Sequence, residues 1–459
     1  MEDIGDTLRM PLGKVEWGEL YALASRLGKE GRFEEAEKAW HFIARHKEYV
    51  HPNYRGGAFF KLGEMESGFG NKDKARMYFK KCIQLIPHHW RAAVFLGLHQ
   101  PVMDQWDQLL KVVAKHLPET DRDVFIRLEQ LAENSFFIEP GEKKEVENLF
   151  HTISIQLEKA KDVRSAKDMA LFLLRIISES TLLVERLMHL NLLKPPRFIE
   201  GDLLVSIVMP YYNGHETIRE TLEGLANQTY RNFELVIGDD GSTAESQGQL
   251  KDILSGFPRL NVRVLHLDHM GQAPATNRAI EAAKGDFILP LDADDIIAHD
   301  YIERTINEFD KDPTLDVAYT ETLLFGLENR LTVRKDFNAP DVFFRNQLNI
   351  TSLIKSSVLR TFGPYCETLA GYEDWDLWIT FAKKKCKFKR IPEPLFFYRK
   401  STASRGFHSR NKDFLKRKMI MEHHHDIYRK PEPQEMYILE HNSAFIPPLF
   451  LISSQEESG

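Results

Sequence analysis

Between residues 203 and 295, short apolar runs alternate with amphipathic helical segments, and that alternation leaves few architectures open. Residues 203–209 form a continuous apolar run stopped by Pro210. Residues 216–227 read as a helix with Ile218, Leu222 and Leu225 on one face. A second run, 233–238, ends at Asp239-Asp240-Gly241-Ser242 and leads into another helix. A third strand, 262–267, is followed by a helix from Gln272 to Ala283 and then by the run Phe287-Ile-Leu-Pro-Leu291. Strands and helices in this order predict a Rossmann-like α/β domain with a mostly parallel sheet and right-handed crossovers. Ligands of such sheets lie beyond the carboxyl ends of the strands.

Three polar signals fall at that edge: Pro210-Tyr211-Tyr212-Asn213, Asp239 to Ser242, and Asp292-Ala293-Asp294-Asp295. Continued as a strand, the last would put Asp292 and Asp294 on one side, about 6–7 Å apart. Like charges that close call for a proton or a cation, and a hard divalent ion accepts such carboxylates together with phosphate oxygens. The same aspartates would also suit the N-cap of a following helix. Taken singly, each signal fits a turn or a cap; together at one edge they favour a ligand site.

Upstream, the first two hundred residues carry helical patterns and no convincing strand. Phe59-x2-Leu62-Gly63, then Ala75-x3-Phe79 and Pro87, follow the small-and-large spacing of tetratricopeptide repeats, with Glu66 at the template's tyrosine position. A weaker copy, with Leu20, Leu23, Ala24 and Leu27 followed by Ala36-x3-Trp40, precedes it. The region resembles a degenerate tetratricopeptide domain, with helices from Trp106 to Leu193 completing the stack. Such pairs either present a concave face to a peptide or subunit or serve as a spacer. Lys194-Pro195-Pro196 breaks the pattern, which sets boundaries at 1–194 for an all-α domain, 195–404 for the α/β domain and 405–459 for a C-terminal tail packing on it.

A net charge of −7 gives no reason to expect nucleic acid binding, and three scattered cysteines suit a reducing compartment. With no signal-like N-terminus and no apolar run of membrane-spanning length, the expectation is a cytoplasmic protein without a transmembrane segment. The lysines and arginines from Lys383 to Lys418 could meet a diphosphate, or an anionic membrane at its inner face, or simply solvent. For Lys416 to Lys418 a solvated helix face is expected, and the same for His423-His424-His425.

The motifs Val205 to Asn213, Gln228-Thr229-Tyr230, Phe233 to Ser242, Leu291 to Asp295, Gly371-Tyr-Glu-Asp-Trp-Asp-Leu-Trp378 and Tyr398-Arg399 resemble, in order, those of the family-2 inverting glycosyltransferases with a GT-A domain. The resemblance covers about residues 203 to 404. It implies a nucleotide-diphosphate sugar donor, a UDP-sugar by expectation, and an acceptor hydroxyl on a glycan, a lipid-linked glycan or a protein. Pro210 and Tyr212 would line the uracil pocket, Asp239 and Asp240 hold the base edge, and Asp292 hold the ribose. Glu216, Asn277 and Arg399 would complete the nucleotide-sugar side. Asp294 would ligate a divalent metal, manganese or magnesium. Asp374 would be the general base, with Gly371, Glu373 and Trp375 at the acceptor; the indoles of Trp375 and Trp378 suit stacking on sugar rings, and equally one of them suits the core. Two positions depart from the pattern: Thr276 stands where an arginine is frequent, and Ser401 where a histidine is, with His408 a potential substitute. These departures keep open a second reading, an interaction protein of weakened activity that acts through its helical repeats.

Overall fold

The computed structural model describes residues 8, 15, 17–46, 49–50, 52–69, 71–85, 143–177, 180–193, 197–369, 371–401 and 413–428. They fall into two compact units, one within Met1–Ile177 and one within Ser178–Leu439. Pro87, the expected helices up to residue 142, the 194–196 break, His408 and the C-terminal tail beyond residue 428 lie outside the described residues.

The first unit contains α1 (Trp17–Lys29), α2 (Phe33–Arg45), α3 (Pro52–Gly68), α4 (Lys72–Leu85), α5 (Lys143–Lys159) and α6 (Val163–Ile177). Helical spacing puts Leu20, Ala24, Leu27, Ala36, Trp40 and Ile43 into one core. Gly63 has a packing role: a Cβ there would come within 2.5 Å of the Phe79 ring, so its absence lets α3 and α4 approach. Glu66, the departure from the repeat template, is buried and accepts hydrogen bonds from Asn71 (2.7 Å) and Lys74 (3.0 Å). Burial opposes its charge, but these donors prevail and hold its pKa below the usual value. The carboxylate thus ties the α3–α4 turn where the repeat would use an aromatic ring.

The second unit opens with α7 (Thr181–Leu192), which the sequence had placed in the helical domain. Leu183, Val184, Leu187 and Leu190 are buried, and His299 donates from its backbone N–H (3.1 Å) and Nδ1 (2.6 Å) to the carbonyl of Asn191. Then follow β1 (Val205–Tyr211), α8 (Ile218–Ala226), β2 (Phe233–Asp240), α9 (Ala244–Ser255), β3 (Val262–Leu267), α10 (Gln272–Ala282), β4 (Phe287–Pro290), β5 (Ile296–Ile297) and α11 (Tyr301–Lys311). After them come β6 (Val317–Gly326), β7 (Arg330–Thr332), α12 (Ala339–Val342), β8 (Leu353–Lys355), α13 (Ser356–Phe362), α14 (Glu373–Lys383), β9 (Phe388–Lys400) and α15 (Asp413–His423).

The strands form one sheet in the order β3-β2-β1-β4-β8-β6-β9-β5, with β7 on β6. The motif-bearing strands β3, β2, β1 and β4 are parallel, as expected; beyond β4 the sheet becomes mixed, with β8 antiparallel to both β4 and β6. Pro210 does not stop β1, which runs on to Tyr211. Val208 accepts from Leu291 N–H on the β4 side, so Pro210, two residues on, faces that side just past the end of β4 and no ladder donor is missed. At Gly238 a Cβ would meet the carbonyl of Ala275 at 2.6 Å, so glycine lets α10 lie close on β2.

Candidate active site

At the end of β4 the chain turns, and Asp295 N–H donates to the carbonyl of Asp292 (3.2 Å). The expected strand alternation of Asp292 and Asp294 is therefore replaced by a turn, which gathers one carboxylate oxygen from each of Asp292, Asp294 and Asp295 within 4.8 Å of one another. The N-cap alternative fails, because the next helix, α11, starts only at Tyr301. Two elements clamp the turn. From α8, the Thr221 hydroxyl donates to the carbonyl of Ala293 (3.1 Å). From β9, Arg399 donates its backbone N–H to Asp295 Oδ1 (2.8 Å) and its Nε to the carbonyl of Asp294 (2.8 Å). The guanidinium reaches on to Glu220 (2.6 Å) and lies over the Phe325 ring. Arg399, expected on the nucleotide, thus builds the acidic turn in this arrangement.

Asp295 is wholly buried and its Oδ2 has no hydrogen-bond donor. Burial, and then the charges of Asp294 and Asp292, push its pKa well up. Three crowded carboxylates with an orphaned buried oxygen are a donor set that fits a hard divalent cation. Gln272, at the start of α10, donates to Asp292 Oδ1 (2.8 Å), a partner the sequence analysis did not single out.

Beside this turn, at the ends of β1 and β2, Tyr212 is exposed and stacks on His269, with centroids 4.5 Å apart. Pro210 is half-buried at the base of the same loop and Glu216 is exposed ahead of α8. Asp240 accepts from the N–H groups of Met270 (2.7 Å) and Gly271 (3.0 Å), which fixes the loop before α10. Asp239 is fully buried and accepts from Ser242, Gln247 and His266. Burial works against its charge, yet these donors hold its pKa below the ordinary range. Asp239 is thereby the brace of the loop, and Asp240 is buried beside it.

Two α10 residues do other work than expected. Asn277 is buried and exchanges hydrogen bonds with the backbone of Tyr365 (2.9 and 3.0 Å), with a further one to Glu367 (2.9 Å). Its amide holds the 365–367 loop, with both N–H groups engaged there. Thr276 is buried and returns its hydroxyl to the carbonyl of Gln272 (2.8 Å), while Arg278 pairs with Glu281.

The second acidic group sits at the start of α14. Gly371 (φ +111°) and Tyr372 (φ +66°) make the left-handed turn into the helix. Asp374 Oδ2 accepts from Asn346 Nδ2 (2.7 Å) and Oδ1 from the Trp375 N–H (2.8 Å). Burial, and then the charge of Glu373, raise its pKa to about 6. Trp375 and Trp378 do not stack on a sugar: spaced three apart on one helix, both are buried, and the Trp375 indole donates to the carbonyl of Val342 (2.6 Å). Lys416 and Arg417 are not a plain solvated face either, since both cations lie over the Tyr372 ring.

The two acidic groups are neighbours through a pair of tyrosines. Burial raises the pKa of Tyr365, and the charges of Asp374 and Asp292 both add to the rise. Tyr398 is raised by burial and then by Asp295, Asp292, Asp294 and Asp374 together. The acidic turn and Asp374 therefore lie within electrostatic reach of the same two tyrosine hydroxyls.

Residues 206–372 match the model of Glycosyl transferase family 2. The chondroitin synthase of Escherichia coli is 30% identical over 188 residues, 39% of this chain and 26% of that protein. The glycosyltransferase GlyG of Streptococcus pneumoniae serotype 4 is 37% identical over 120 residues, 25% of this chain and 39% of that one. The chain thus spans well under half the length of these relatives. Among solved structures, Staphylococcus aureus TarS 1–349 in complex with UDP-GlcNAc aligns with a TM-score of 0.41 and 19% identity, covering 52% of this chain and 70% of that one. The Pyrobaculum calidifontis mannosyltransferase PcManGT, in complex with GDP-Man and Mn2+, aligns with a TM-score of 0.39 and 19% identity over 64% and 81%.

Proposed function

We propose that this chain, which carries a glycosyl transferase family 2 domain over residues 206–372, transfers a sugar from a nucleotide-diphosphate sugar, a UDP-sugar in the first instance, to an acceptor hydroxyl with inversion at the anomeric carbon. The observation that carries this reading is the carboxylate cluster of the acidic turn, which shares the charge environment of Tyr365 and Tyr398 with Asp374. Asp292, Asp294 and Asp295 would hold a divalent cation, manganese or magnesium, which when bound neutralises charge on the departing diphosphate. Tyr212, on its exposed face, offers a ring for the nucleotide base, and Pro210 the floor beneath it. Asp374, kept in register by Asn346, takes the proton of the acceptor hydroxyl as its oxygen attacks. Gly371 and Glu373 shape the acceptor side. No enzyme nucleophile is needed for a single inverting displacement.

The acceptor is a hydroxyl of a glycan, a lipid-linked glycan or a protein, and the paired helices of the first unit provide a surface for a large acceptor or a protein partner. No helix among the described residues is long and apolar enough to cross a membrane.

Asp374→Asn tests the assignment, because it keeps the side chain's shape and removes its proton acceptor. Donor binding measured by calorimetry should stay within a few-fold of the parent, while turnover falls by about two to four orders of magnitude. Parental turnover by the variant would move the base elsewhere, with Glu373 next in line.

A further inference from the structure

The three consecutive histidines at the end of α15 read as surface in the sequence, yet two of them close on a buried carboxylate of the base helix. His423 Nδ1 is hydrogen-bonded to Asp376 Oδ1 (2.7 Å), a bond a metal would replace, and His424 Nε2 lies 3.0 Å from the same oxygen. Cys366 joins from the loop before α14: its Sγ, an Asp376 oxygen and a His423 nitrogen lie within 4.8 Å of one another. We propose that Cys366, Asp376, His423 and His424 form a second metal site, distinct from the acidic turn and of the kind that takes zinc.

Donor chemistry separates the two sites. A thiolate, a carboxylate and imidazoles suit zinc, whereas the all-carboxylate turn suits a hard ion. His424 supplies an independent observation. It is 2% exposed, and its Nε2 is buried without a hydrogen-bond partner although a carboxylate oxygen stands 3.0 Å away. That misaligned approach is what an imidazole and a carboxylate show when both point at a common third atom instead of at each other. With Nε2 as ligand, the ring proton must move to Nδ1, so the long 3.5 Å bond that Lys383 donates to Nδ1 is given up on metal binding while Lys383 keeps its 2.7 Å bond to Asp426.

The three segments that supply these donors are each anchored. The Cys366 loop is tied to α10 through Asn277 and Tyr365. Asp376 sits in the first turn of α14, two residues beyond Asp374. The His424 segment is fixed by buried Ile420 and Met421 and by Tyr428, whose hydroxyl donates to the carbonyl of Phe343 (2.6 Å). A metal here would staple the loop and α15 to the helix that presents the base. The site is independent of the sugar-transfer reading, since none of its four residues serves that reaction.

The test uses the full-length protein and metal alone. After loading with zinc and desalting, the parent should retain about one zinc per chain. Loaded with cobalt(II), it should show the near-ultraviolet sulfur-to-cobalt charge-transfer band of a thiolate ligand. Both should be lost in Cys366→Ser and weakened in His423→Gln, and both should persist in Asp294→Asn. Zinc should also raise the melting temperature of the parent but not of Cys366→Ser. A parent that retains no zinc and shows no charge-transfer band overturns the site, and this outcome needs no variant to fold. Equal zinc retention and an unchanged band in Cys366→Ser overturn it as well.

Discussion

A carboxylate that must take a proton from an alcohol works best with its own proton affinity raised, and burial beside Glu373 does this for Asp374. Raised affinity is useless without aim, and the 2.7 Å bond from Asn346 supplies it. Asn346→Ala should lower kcat roughly ten- to hundredfold with the donor KM little changed, a split that steady-state kinetics resolves. Glu234 illustrates the opposite balance. It is buried in β2 and accepts from Ser206 (2.6 Å), the Lys284 N–H (2.7 Å) and Arg263 (3.0 Å). Burial alone would raise its pKa, but these partners take it below the usual 4.5. The unfolded chain then binds the proton first, so Glu234 stabilises the fold fully above pH 4.5 and progressively less as the pH falls below it. Glu234→Gln should cost about 1–3 kcal/mol near neutrality and flatten the acid limb of a denaturation series.

Elements place these side chains, and the acidic turn depends on two of them. Arg399 of β9 holds the turn by its backbone N–H and its Nε while its fork reaches on to Glu220; lysine keeps the backbone bond, but its point charge lacks the guanidinium fork that makes the other two. Arg399→Lys should weaken manganese binding several-fold by calorimetry while leaving the circular dichroism spectrum unchanged. An unaltered manganese affinity would mean that α8 alone orders the turn. The parallel strands, the helix between each pair and the carboxyl-edge motifs were legible because period and order suffice to read them. The turn at Asp292 to Asp295 was not, since it is set by contacts with Thr221 and Arg399, distant in sequence. Trp375 misled for a related reason: residue type suggested stacking on a sugar, but its helical phase with Trp378 aims it inward. The hold of Asn277 on the Tyr365 loop was not legible either, because the two lie far apart in sequence. His423 and His424 seemed isolated because Asp376 and Cys366 lie far off along the chain.

At the scale of the molecule, α7 belongs with the sheet and not with the helices that precede it. A fragment starting at residue 178 should therefore melt higher than one starting at 197, which lacks the buried Leu183, Val184, Leu187 and Leu190; loss of such side chains costs about 2–5 kcal/mol each. Equal melting temperatures would make α7 dispensable. The account as a whole turns on whether the acidic turn couples a cation to a nucleotide diphosphate, and calorimetric titration of UDP into the full-length protein, with manganese and then with excess chelator, reads that coupling directly. UDP affinity should fall at least about tenfold on chelation, and Asp294→Ala should bind UDP weakly whether or not manganese is present. UDP binding of equal strength in manganese and in chelator, unchanged by Asp294→Ala, would contradict it.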